Sequence, residues 1–75
     1  MFEKLQKIIS EELSVNVADV TLATDILNDL DADSLDIVEL VMALEDSFDI
    51  TVDDSDVEKL KTVQDILSYL EAKTA

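Results

Sequence analysis

Histidine, cysteine, arginine, glycine, proline and tryptophan are all missing from this 75-residue chain. Without cysteine there is no thiol nucleophile, no disulfide and no Cys/His zinc site, and without histidine there is no imidazole for acid–base chemistry. So poor a set of catalytic groups implies a chain that performs no chemistry with its own side chains. Bases are scarce as well: five lysines stand against 19 Asp and Glu, for a formal net charge of −14 and a pI near 4.1. Phosphates are repelled by such a surface, which disfavours DNA, RNA and anionic membranes as partners. No apolar run approaches the ~20 residues of a membrane span. Met1-Phe2-Glu3-Lys4-Leu5 leads directly into an amphipathic segment with no signal-peptide pattern. The expectation is a soluble cytoplasmic protein, kept monomeric by self-repulsion and without stable membrane association.

What is present is enough for a core. High charge with low hydrophobicity would read as disorder, but 48% of the residues are apolar. At 8.3 kDa the chain fits one domain, residues 1–75. A core this small leaves stability marginal, and the net charge lowers it further.

With glycine and proline absent, boundaries are read from Asp, Asn, Ser and Thr. Phe2, Leu5, Ile8, Ile9 and Leu13 keep helical spacing, so residues 2–14 are predicted as a first helix. Val15 and Val17 alternate with polar residues like a short strand, yet have no evident partner. Residues 15–33 are read as a long loop pinned by Val20, Leu22, Ile26, Leu27 and Leu30. Asp33-Ser34 opens the most periodic segment, which runs to about Phe48. Ser55 to Leu60 is predicted as a short helix with a Ser55…Glu58 capping box. Thr62 with Asp65 begins a last helix whose Val63, Ile66, Leu67 and Leu70 share one face. The fold class expected is all-α: a four-helix bundle of three longer helices and one short one, with a long first loop.

On a helical wheel with Ser34 at zero, Leu40, Leu44, Ile37, Phe48 and Val41 fall between roughly 240° and 340°. That stripe, about 100° wide, is sufficient to face a core. Leu35, Val38 and Met42 fall outside it, between roughly 40° and 100°. They share that side with Glu45, Asp46 and Glu39. Single exposed apolar residues are common. Three neighbours with a charged rim have the composition of a docking site instead, and methionine suits a surface that meets many partners. The charge asymmetry also has two readings. Between Asp19 and Glu58 stand 14 acids and no base, either a solvated face or a recognition surface for basic partners.

Ser34 has a structural reading as a helix N-cap, a role Asp33 fills equally well. It cannot be a nucleophile in its own right, for no base is available to activate it. Any chemistry at Ser34 is therefore done to it by another enzyme.

Asp33-Ser34-Leu35-Asp36, followed by Ile37-Val38-Glu39-Leu40-Val41-Met42-Ala43-Leu44-Glu45, resembles an acyl carrier protein of bacterial type II fatty acid synthesis. The resemblance extends over essentially the whole chain. It implies that Ser34 is esterified with 4′-phosphopantetheine, whose thiol carries acyl groups as thioesters between enzymes. It implies as partners a phosphopantetheinyl transferase and fatty acid synthesis and acyl-transfer enzymes with basic patches. Asp33, Asp36, Glu39, Glu45 and Asp46 match the family's acidic contact positions, and Leu35, Val38 and Met42 its apolar ones. It also implies that acyl chains shelter between the helices. At Asp31 the family usually has glycine; Asp tolerates left-handed backbone better than most residues. A phosphate on Ser34 would face the positive end of a helix, but Asp33 and Asp36 oppose it with like charge, so it is expected to stay solvated.

Three other readings stand beside this one. The carrier could serve a specialised polyketide pathway. Asp29, Asp31 and Asp33 occupy positions one, three and five of a calcium loop, though Ser34 replaces the sixth-position glycine and Leu40 the twelfth-position glutamate. Acidity alone would also fit an inhibitor that mimics nucleic acid.

Overall fold

The structure, a computed structural model, describes residues 1–74; Ala75, the last residue of the expected domain, lies outside the described residues. Four helices follow in order: α1 (Phe2–Leu13), α2 (Ser34–Phe48), α3 (Asp54–Val57) and α4 (Val63–Thr74). They have 12, 15, 4 and 12 residues, so the expected all-α bundle of three longer helices and one short one is the observed architecture.

Each long helix sends its apolar stripe inward. Leu5 and Ile9 of α1, Leu40 and Leu44 of α2, and Val63, Ile66 and Leu70 of α4 meet in one core, joined by Val20, Ile26 and Ala32 from the first loop. α1 packs chiefly against α2. A second device joins them: Lys4 donates from Nζ to the Ser47 carbonyl at 3.0 Å, with its ammonium 4.7 Å from the Phe48 ring centroid. The last turn of α2 holds no base of its own, so α1 supplies the cation that the negative end of α2 favours.

Helix ends follow from turn chemistry without glycine. Ser14, Asp31 and Asp49 all take positive φ, near 55°, and Ser14 and Asp49 terminate α1 and α2 in the left-handed conformation. Asp31 takes the left-handed conformation, a geometry that glycine reaches without cost. α4 opens on the predicted box: Asp65 N–H donates to Thr62 Oγ1 at 3.1 Å, and Thr62 N–H to Asp65 Oδ2 at 3.1 Å.

Three sequence expectations are corrected. α1 ends at Leu13 rather than residue 14, where Ser14 turns left-handed. Residues 15–33 are the loop they were read as, with a 3₁₀ turn at Val17–Asp19, and the one bridge among the described residues is antiparallel, Asp25 to Thr62. The Ser55…Glu58 box is not formed. α3 starts at Asp54 after Asp53, without a side-chain cap, and Glu58 follows its end. Leu22 and Leu27 do not pin the first loop. They are exposed, because Val20, Ile26 and, in part, Leu30 take the inward places.

Candidate functional site

The chain reaches Ser34 through a closely determined path. Ala32 is buried and donates to the Ile26 carbonyl at 3.3 Å, which anchors the loop one residue before the helix cap. Asp33 is the N-cap of α2: its Oδ1 accepts from Asp36 N–H at 2.9 Å, and Asp36 Oδ2 accepts from Asp33 N–H at 3.2 Å. The reciprocal box decides between the two cap readings in favour of Asp33. Ser34 is consequently the first helical residue, exposed, and among the described residues none is hydrogen-bonded to its hydroxyl. Its oxygen projects at the positive end of a 15-residue helix with two of the first backbone donors already taken by the cap. A free, accessible hydroxyl in that field fits a phosphoester-linked group.

The remaining predicted residues divide into two groups. Leu35, Val38 and Met42 are 64%, 51% and 59% exposed, an apolar ridge directly after Ser34. Asp33, Glu39 and Asp46 are exposed beside it. Asp36 and Glu45 are half-buried and work within the chain. Asp36 completes the cap, and Glu45 Oε2 accepts from Val52 N–H at 2.9 Å, tying the α2–α3 connection to α2. The wheel gave no sign of this, because Val52 lies seven positions away in a stretch without periodicity.

Two clefts flank α3. One, of about 310 Å³, has Ser34 on its rim and is walled by Leu27, Ile37, Val38, Val57 and Leu60, with Glu58 and Lys61. The other, of about 370 Å³, runs between Val41, Met42 and Val52 and is likewise bounded by Val38 and Val57. Val38 of α2 and Val57 of α3 thus form the partition between them. Leu27, Val57, Leu60 and Lys61 were not foreseen as neighbours of Ser34. The signal for Leu27 was available: Asp25 Oδ1 accepts from Leu27 N–H at 3.0 Å and Asn28 N–H at 2.9 Å, a turn that sends the residue after Ile26 outward.

The candidate calcium loop does not assemble. Asp29 Oδ2 accepts from Asp25 N–H at 2.8 Å, Asp33 is occupied by the cap, and among the described residues no three Asp or Glu side chains converge on one point. No described helix is long and apolar enough to cross a membrane.

Comparison with known proteins agrees with this geometry. Residues 3–70 match the family described as phosphopantetheine attachment site. The acyl carrier protein of Bdellovibrio bacteriovorus is 56% identical over 70 residues, covering 93% of this chain and 90% of that one. The acyl carrier protein of Thermotoga maritima is 51% identical over 73 residues, 97% of this chain and 90% of that one. A solved structure of acyl carrier protein from Enterococcus faecalis superimposes with a TM-score of 0.81 at 36% identity, over 96% of this chain and 91% of that one. The chain belongs to the acyl carrier proteins, which are not enzymes but carriers of acyl groups on phosphopantetheine in fatty acid biosynthesis.

Proposed function

We propose that Ser34 is the residue that bears the 4′-phosphopantetheine arm, and that residues 1–75 act as a single carrier domain. The observation that carries the assignment is the division of labour at the start of α2: Asp33 caps the helix, leaving the Ser34 hydroxyl exposed and free to react. The arm supplies the thiol that the cysteine-free chain lacks. The chain's own part is to hold the modified oxygen on a rigid helix end and present a face beside it.

That face is α2. Its partners are the phosphopantetheinyl transferase and the enzymes of fatty acid synthesis. In this reading their basic patches approach Asp33, Asp36, Glu39, Glu45 and Asp46, and Leu35, Val38 and Met42 give the contact its apolar centre. Exposure of the three apolar residues supports this, as does the concentration of lysines elsewhere. Glu39 and Asp46 are the freest of the acids, whereas Asp36 and Glu45 are shared with internal bonds. Charge of opposite sign accelerates encounter, and a small polar contact releases quickly, which a shuttle requires. In this reading the carrier is a cytoplasmic monomer, its net charge opposing self-association.

The test is intact-protein mass after incubation with coenzyme A and a broad-specificity phosphopantetheinyl transferase, with Ser34→Ala in parallel. One added phosphopantetheine in the parent and none in the variant is the expected result. A folded parent that gains nothing contradicts the assignment.

A further inference from the structure

Where the phosphate of a group on Ser34 would lie is decided by the charges around the serine. On one side are Asp31 and Asp33, both exposed, and Asp36. On the other is the 310 Å³ cleft, with Lys61 at its wall. The other lysines placed by contacts are engaged elsewhere: Lys4 on Ser47 and Phe48, Lys59 with Asp56 at 3.7 Å, and Lys73 over the Tyr69 ring at 5.4 Å. Among the described residues Lys61 forms no ion pair within 4 Å, yet its backbone is held at both ends. Its carbonyl accepts from Ile26 N–H at 2.9 Å, and its N–H donates to Asp65 Oδ2 at 3.2 Å.

We propose that Lys61 is a positioning residue for the prosthetic group: its ammonium meets the phosphodiester on Ser34 and turns the arm away from the acids of α2, across the apolar floor formed by Leu27, Val57 and Leu60. The inference rests on Ser34 being the attachment site. It alters the expectation of a fully solvated phosphate, which considered only Asp33 and Asp36 and not the cation that the fold brings from 27 positions downstream.

Three features support it. The Lys61 stem can lie along the cleft wall while the charged head stays in water. Ile26 N–H donates to the Lys61 carbonyl at 2.9 Å, which sets Lys61 beside the Asp25–Leu27 turn at the cleft; the Lys61 charge is the smallest of the effects that hold the Asp25 carboxyl below its ordinary value, the Asn28 N–H being the largest. Glu58 also lines this cleft but makes no ion pair with Lys61 within 4 Å among the described residues, which leaves the ammonium open to the phosphodiester. An arm lying here would leave Leu35 and Met42 of the exposed ridge open to a partner, which then draws the arm out past Val38.

The experiment uses loaded protein whose arm carries ¹³C and ¹⁵N from labelled coenzyme A. Attachment is first verified by mass, so that failure to load counts against the Ser34 assignment and not against Lys61. The expected result is nuclear Overhauser contacts from the arm to Leu27 and Leu60 methyls, and a ³¹P shift displaced from that of free phosphopantetheine. Lys61→Gln lowers the docked population about two- to fivefold, the range of one exposed ion pair, and brings the ³¹P shift toward the free value. Lys59→Gln, a change of equal charge off the cleft, leaves both unchanged. Absence of arm-to-cleft contacts in the loaded parent overturns the proposal. So does a Lys61→Gln protein, folded by its amide spectrum, whose contacts and ³¹P shift equal the parent's.

Discussion

The frame of α1, α2 and α4 and the corner formed by α3 are held by different physics. In the frame, Leu5, Ile9, Leu40, Leu44, Val63, Ile66 and Leu70 are buried to within a few per cent of complete, and every long helix contributes to one core. α3 has four residues, none buried, and no side-chain cap. It is tied by Glu45 to Val52 N–H on one side and by Tyr69 Oη donating to Asp56 Oδ2 at 2.8 Å, with apolar anchors only in its flanks, the buried Val52 and the half-buried Leu60. Burial of apolar surface is cooperative and costly to undo, whereas single hydrogen bonds near solvent contribute about 1 kcal/mol each. Ser34 therefore stands on the frame, and its adjoining cleft has one wall from the buried frame and one from the less buried corner. That asymmetry suits a carrier that keeps its reactive end positioned while its contents change.

The comparison breaks first in the frame. Leu44→Ala removes a fully buried side chain of α2 and is expected to destabilise by about 2–5 kcal/mol, enough to unfold much of so small a domain; Val57→Ala, on the half-buried α3, costs less than about 1.5 kcal/mol. Chemical denaturation of the two variants measures the contrast, and equal losses would remove the distinction. Asp33→Ala eliminates the α2 capping box and is expected to cost about 1 kcal/mol. It also loosens the first turn carrying Ser34, visible as faster amide exchange at Asp36 and Ile37.

Smaller effects sharpen the corner. Tyr69 is pushed above its ordinary value by loss of hydration and by its bond to Asp56. The neutral phenol is the form the fold favours, so this contribution is complete below the ordinary value of 10.0 and is lost as pH rises through the raised one. Tyr69→Phe is expected to cost under about 1 kcal/mol and to raise exchange in α3 while leaving α1 unchanged. Asp25 shows the opposite sign. Its carboxyl lies below the ordinary 3.8 because Asn28 and Leu27 N–H groups favour the charged form. That stability is present above 3.8 and disappears as pH falls through the lowered value; Asp25→Asn should flatten this part of an acid-unfolding curve.

Much of the frame could be read from residue spacing, because each long helix carries its own stripe and its own cap. The α2 wheel separated Leu40 and Leu44, now buried, from Leu35, Val38 and Met42, now exposed. The Thr62–Asp65 box was legible for the same reason: both partners lie within one turn. The corner was less so. Ser55 and Glu58 have the spacing of a capping box, but the helix starts one residue earlier, after Asp53. Leu22 and Leu27 are as apolar as Val20 and Ile26, and only tertiary packing decides which pair goes inside. Nothing local connects Glu45 with Val52, or Lys61 with Ser34. Those neighbours exist because the first loop and the start of α4 are joined through Asp25–Thr62 and Ile26–Lys61.

The central claim, that Ser34 is the modified residue, is tested most directly by fragmenting the loaded protein in the mass spectrometer. Five other serines are available as alternatives: Ser10, Ser14, Ser47, Ser55 and Ser68. Every fragment retaining phosphopantetheine is expected to contain Ser34, with the group mapping to that residue alone. Phosphopantetheine on any of the other five, with Ser34 unmodified, would contradict it.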